Sequence, residues 1–154
     1  MSVAATLTAF CGLATIITAD FLWRNRIRAQ FGILESGPEH GDVVVREVRE
    51  IERPSSGTSQ PFGLRFYKPS GRPFRAKVVH ILPAAPGSVH GDIVFMQQSP
   101  RGYELHGEDL EYPGGGVRRL RLSATDPLGT YELRLYVNGS LKQSVSYNVV
   151  AGAS

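Results

Sequence analysis

The constraint that most limits this chain is the side-chain alternation between Gly129 and Val150. Tyr131, Leu133, Leu135 and Val137 share one side of the first run, opposed by Thr130, Glu132, Arg134 and Tyr136. A two-residue period belongs to a strand with one buried face, because successive side chains of extended backbone point oppositely. Asn138-Gly139 then supplies two residues that tolerate positive φ, as a type I′ hairpin turn requires. On the return, Leu141, Val145, Tyr147 and Val149 are expected inside, with Lys142, Ser144, Ser146 and Asn148 outside. A lone hairpin cannot bury its apolar side, so it needs further strands and a second layer facing it.

The chain upstream supplies such strands. Ile27, Ala29, Phe31 and Ile33 alternate with Arg26, Arg28, Gln30 and Gly32. Further strands are expected at Asp42 to Ile51, Phe62 to Lys68, Phe74 to Leu82, Asp92 to Gln97 and Val117 to Ser123. Turn residues separate them at Ser36-Gly37-Pro38, Pro54 to Gly57, Pro69-Ser70-Gly71, Pro83 to Gly87, Pro113 to Gly116 and Asp126-Pro127. No stretch beyond residue 19 sustains a helical period. The fold class is therefore all-β, an antiparallel sandwich of about seven or eight strands.

Residues 1–19 are a separate object. Met1 to Ala19 carries no charged side chain, so nothing opposes its partition into a translocon or bilayer. Ala19 places a small residue before Asp20, as a signal peptidase requires. Arg24, Arg26 and Arg28 behind the segment would equally serve as an inside-facing anchor. A signal peptide, an uncleaved anchor and a core segment of a soluble protein all remain open. The domains are then residues 1–19, signal or anchor, and residues 20–154, the sandwich. The expected location is periplasmic or secreted, with a single-pass membrane-anchored form as the alternative. Phe10 before Cys11 argues against a lipoprotein, and a single cysteine permits no intrachain disulfide.

Asp126-Pro127-Leu128-Gly129-Thr130-Tyr131 resembles the strand-entry corner of immunoglobulin-like domains, where a tyrosine hydroxyl bonds back to the preceding loop. The Cys and Trp hallmarks of antibody domains are absent, so the resemblance is one of architecture. Other stretches resemble an uncharacterised bacterial family of exported β-sandwich domains, a domain of unknown function. They are Phe31-Gly32-Ile33-Leu34, Pro54 with Gly57-Thr58, Phe62-Gly63-Leu64-Arg65-Phe66, the Pro127 to Tyr131 corner, and Tyr147 to Val150. Leu34 replaces an aromatic of that pattern, Leu128 is inserted, and a tyrosine stands for the usual tryptophan. The resemblance implies an exported single domain with no known activity and no site to carry over.

Residue chemistry narrows function mainly by exclusion. A net charge of +3 is modest and no nucleic-acid motif accompanies it, so no nucleic-acid partner is expected. His40-Gly41-Asp42 and His90-Gly91-Asp92 could offer imidazole and carboxylate to a metal, yet Gly and Asp before a strand read better as entry turns. His106, Glu108, Asp109 and Glu111 form an acidic cluster without calcium-loop spacing. No metal and no cofactor are expected. Four scattered histidines and no Gly-x-Ser-x-Gly elbow give no catalytic constellation. Arg118, Arg119 and Arg121, with Arg24, Arg26 and Arg28, form two basic runs that could dock an acidic partner or lipid headgroups. Arg119 and Arg121 alternate with Leu120 and Leu122, which reads better as a half-exposed strand. Arg65 is expected to meet an aromatic ring.

The segment from Gln97 to Gly116 reads as a long loop, where binding residues concentrate. Tyr103, His106, Glu108, Asp109 and Tyr112 are its candidate ligand-binding residues. The expected function is a non-catalytic exported or envelope-associated sandwich, acting as a binding or structural module. Protein or glycan partners would use its loops or a free strand edge, and the membrane only residues 1–19. A membrane-anchored accessory subunit is the alternative, and a hydrolase with a noncanonical site the remaining one. Export predicts a mature chain beginning at Asp20 by mass spectrometry of the extracytoplasmic fraction; an intact Met1 in the membrane fraction would favour the anchor.

Overall fold

The computed structural model describes residues 22–37, 41–87, 89 and 93–152. In chain order the strands are β1 (Arg28–Gly37), β2 (Gly41–Glu47), β3 (Glu50–Arg53), β4 (Phe62–Tyr67) and β5 (Phe74–Leu82). There follow β6 (Ile93–Ser99), β7 (Gly102–Gly107), β8 (Leu110–Tyr112), β9 (Gly115–Leu120), β10 (Gly129–Val137) and β11 (Ser140–Ala151). One sheet runs β2-β1-β4-β9; the other runs β3-β11-β10-β5-β7-β6, with β8 attached to β5. None of the helices among the described residues is long and apolar enough to cross a membrane.

The two sheets meet through their alternating inner faces. Phe31, Ile33, Phe62, Leu64 and Phe66 from one pack with Leu133, Leu135, Val145, Tyr147 and Val149 from the other. Each such side chain contributes about 1.5–3 kcal/mol by leaving water. Asn138 and Gly139 take φ of 50° and 80°, the pair of values that the tight β10–β11 turn demands. Tyr131, Leu133, Leu135 and Val137 are all buried, as the alternation requires. The Tyr131 hydroxyl donates to the Pro127 carbonyl at 2.7 Å, closing the tyrosine corner. With the corner, the β10–β11 hairpin and the neighbouring β5, the chain is an immunoglobulin-like β-sandwich.

Several expectations are corrected. The single strand at Asp42 to Ile51 is two strands in different sheets, β2 beside β1 and β3 beside β11. The chain changes sheet at Val48-Arg49, and β3 then pairs with β11 in parallel, so the sandwich is not wholly antiparallel. Leu141 is 51% exposed instead of buried. The register slips between Leu135 and Tyr136, pairing Tyr136 with Leu141 and leaving Lys142 as an extra residue. One extra residue flips all side chains beyond it to the opposite face.

The region read as a loop between Gln97 and Gly116 is mostly strand: it holds the end of β6, then β7, β8 and the start of β9. A hairpin at Ser99-Pro100-Arg101-Gly102 joins β6 to β7, and Gly102 takes φ of 127° where a Cβ would collide with the Leu82 carbonyl oxygen. The strand expected over Val117 to Ser123 is β9, which starts two residues earlier and ends three residues earlier. The leader Met1 to Ala19, His40 and the His90-Gly91-Asp92 turn lie outside the described residues.

The route of β8 decides what is left open. In the immunoglobulin arrangement, the strand preceding the equivalent of β9 pairs along its outer edge. Here β8 pairs with β5 instead, through Phe74 and Tyr112, Arg75 and Glu111, and Ala76 and Leu110. Among the described residues, β9 therefore has β4 on one side and no strand on the other. The bulge in β11 makes opposite demands of two leucines in one hairpin. Leu133→Ala is expected to cost about 2–5 kcal/mol in urea unfolding, and Leu141→Ala to stay within about 0.5 kcal/mol.

Candidate functional site

The open edge of β9 borders a cavity of about 360 Å3 between the two sheets. Strand pairing explains its walls. Leu64, Phe62 and Phe66 point inward from β4, and they face Arg118, Leu120 and Gly116 of β9. Leu120 and Arg118 thus line the cavity from one sheet, and His80, Leu82 and Leu105 from the other. Pro86 and Val89, from the β5–β6 connection, and Ser123 and Asp126, from the β9–β10 connection, also line it.

Most polar groups on this lining are already engaged. The Ser123 N–H donates to the Asp126 carboxylate at 2.7 Å, and Arg53 donates to the Asp126 carbonyl at 2.9 Å. The Tyr131 hydroxyl is taken by Pro127. His80 Nε2 lies 2.7 Å from the Tyr147 hydroxyl. Burial, and then the positive charge of Arg118, push the His80 imidazole from 6.5 down to about 3, so it is neutral near pH 7. Burial raises both tyrosine hydroxyls above their ordinary range.

Arg118 is the exception. Its Nε is enclosed and makes no hydrogen bond. The adjacent Arg119 lies on the outer face, where it reaches both Asp42 oxygens at 2.8 and 2.9 Å. A 2.6 Å hydrogen bond from Ser36, and then Arg119, hold the Asp42 carboxyl below its usual range. Asp42, considered above as a metal ligand or turn residue, is thus half of an ion pair across the outer face of β2-β1-β4-β9. The sequence reading puts Arg119 and Arg121 on the polar side of the strand but gives Arg118 no face of its own. The signal was present, because Arg118 has the same parity as Leu120 and Leu122.

The five candidate residues of the supposed loop are not brought together. Tyr103 packs against the core from β7, beside Leu82. Tyr112 stands edge-on to Phe66 with centroids 5.0 Å apart, so it too is part of the core wall. His106 is on the outer face, stacked on Phe95 at 4.1 Å and 3.2 Å from Glu104. Hydrogen bonding from Gln97 is the main cause that holds Glu104 below its usual range. Glu108 and Asp109 are exposed between β7 and β8, with Asp109 3.7 Å from Arg75. Arg65 does sit over an aromatic ring, 5.2 Å from the centre of Tyr67. No group of three or more metal-ligating side chains occurs among the described residues.

A larger cavity of about 890 Å3 lies along β3 and the Pro54–Gln60 segment. Arg46, Glu50, Glu52 and Arg53 line it together, two charges of each sign, so no ligand charge is selected. No family model matches the sequence, and no curated protein matches it. Among solved structures, the fold is similar to an immunoglobulin-like protein from Pseudomonas aeruginosa. That likeness has 16% identity and a TM-score of 0.49, over 82% of this chain and 98% of that one. The chain is also similar to an alkylpurine DNA glycosylase of Pseudomonas fluorescens, solved with DNA containing an abasic site analog. There the identity is 10% and the TM-score 0.34, over 80% of this chain and 30% of that one. Likenesses this distant carry nothing about ligand or activity.

The buried imidazole makes stability depend on acid. Between pH 6.5 and about 3 the unfolded chain binds a proton on His80 that the folded chain refuses, so stability falls as pH falls through that window. One proton limits this slope to about 1.4 kcal/mol per pH unit. His80→Gln, which can still bond to Tyr147, is expected to flatten that part of the curve in urea unfolding at stepped pH.

Proposed function

We propose that this domain is a non-catalytic, exported binding module whose ligand enters the cleft between β9 and the opposing sheet. The observation that carries the reading is the unfilled edge of β9 above an apolar cavity. A volume of about 360 Å3 falls in the usual range of small-molecule sites, about 300–1,000 Å3. Leu82, Leu105 and Leu120 give apolar walls among polar residues that include three arginines, a lining suited to a ligand with both an apolar body and a polar group.

Chemistry on a bound molecule is poorly served by the same residues. A histidine with its pKa near 3 is a weak base at neutral pH, and this one is committed to Tyr147. The tyrosine hydroxyl at the cleft is committed to Pro127. Among the described residues, no nucleophile is paired there with a base. Export rests on the charge-free run from Met1 to Ala19, and it would place the module in the periplasm or outside the cell.

The reading makes the cleft the place where an apolar probe should bind. An anilinonaphthalene dye is expected to brighten on the folded protein and to lose that signal in Leu120→Trp, whose larger ring fills the space. Dye fluorescence unchanged by Leu120→Trp would place the binding elsewhere and defeat the reading.

A further inference from the structure

We infer that the cleft takes an amphipathic monocarboxylate, with its apolar body against Leu82, Leu105 and Leu120 and its carboxylate on Arg118. This rests on the binding role just proposed for the cleft and adds the class of ligand.

The case starts from the cost of the arginine. A guanidinium remains charged at any physiological pH, so it cannot escape burial by losing its proton. Arg118 as a whole is half-buried, but a polar nitrogen enclosed without a partner still carries a desolvation cost that no hydrogen bond offsets. Arg118 has its Nε sealed from solvent without a hydrogen bond, and it faces the cavity beside the neutral His80. Arg119 has its own carboxylate, Asp42, on the other face of the sheet. An anion in the cavity is what would complete Arg118.

The surroundings select which anion. The guanidinium edge is a planar fork that matches the two oxygens of a carboxylate. Arg119 and Arg121 also border the cavity, but Arg119 is neutralised by Asp42 and Arg121 reaches toward Thr58, so the fork of Arg118 is matched by a single charge. Leucines on both walls then call for an apolar body attached to the head group. A compact molecule fits better than an extended peptide. The lining draws on Pro86 and Val89 at one connection and on Ser123 and Asp126 at another, so the space is a pit and not a groove running the length of β9.

The test compares decanoate with decanol, equal in chain length and different in head group, by calorimetric titration of the full chain below the micellar range. Decanoate is expected to bind at least tenfold more tightly than decanol. Arg118→Met should abolish that preference by weakening decanoate to the level of decanol, with decanol itself unchanged. Arg118→Met is also expected to unfold at a temperature no lower than that of the unliganded parent, because it removes an enclosed Nε that has no hydrogen bond, which guards against a folding artefact. Arg118→Lys should keep part of the preference. Equal binding of the two ligands, or decanoate binding untouched by Arg118→Met, overturns the carboxylate assignment and leaves the cleft as an apolar site. Dye binding without decanoate binding, together with binding of an acidic apolar hexapeptide that Leu120→Trp blocks, overturns it in favour of a peptide strand. Absence of dye, decanoate and decanol binding defeats the cleft reading as well.

Discussion

One buried polar contact, the 2.7 Å hydrogen bond between His80 and Tyr147, ties the register of the sandwich together. The two residues sit on β5 and β11, which are not neighbours, because β10 lies between them. Tyr131 of β10 fills the gap, with its ring 5.5 Å from His80 and 5.3 Å from Tyr147. Phe31 of the opposite sheet stacks on Tyr147 at 4.8 Å. A one-residue slip of any of these strands would turn a ring outward and leave a buried hydroxyl or imidazole without a partner. Such an orphan costs about 1–3 kcal/mol on top of the lost packing. The apolar alternation makes a sandwich favourable; this layer of rings makes one register of it preferable.

A second aromatic contact shapes the opening. Tyr112 stands against Phe66 and Phe74, which fixes β8 at the end of β5. Gly116 lies under that ring, where a Cβ would come within 2.4 Å of it. The chain therefore passes beneath Tyr112 through Pro113 to Gly116 and enters β9 from the end of the sandwich. A strand laid along the outer edge of β9 would have to precede this crossing. With β8 spent on the other sheet, no strand among the described residues covers that edge or the cavity behind it, so the cleft follows from a packing decision made at Tyr112.

What could be read in advance depended on how much of each strand faces the core. The strand β10 and its turn were legible to the residue, since four consecutive inward positions are apolar and Asn138-Gly139 marks the turn. The strand β7 was not, because its inward positions are Tyr103, Leu105 and Gly107 and its outward ones Glu104 and His106, too few apolar residues to show a period. Ser99-Pro100-Arg101-Gly102 was a turn signal that deserved more weight than the polar composition around it. The face change at Leu141 was invisible, because no residue type announces a bulge. The free edges were equally hidden: β2 and β9 end one sheet, β3 and β6 the other, and this follows from pairing alone.

Arg118 and Arg119 show why the cleft had to be found in three dimensions. They are chemically identical neighbours, and the pleat sends them to opposite faces of one sheet. Arg119 meets Asp42, with 39% of its side chain still reaching solvent, where an ion pair adds at most about 1 kcal/mol. Arg118 meets leucines and a neutral imidazole. Its inward position was fixed by the pairing of Leu64 with Arg118, and Leu64 is fully buried. The Arg118 Nε is enclosed without a hydrogen bond while the half-buried side chain lines the cleft, so the pleat alone turns one of two neighbouring arginines into a group that faces an opening and not an ion-pair partner.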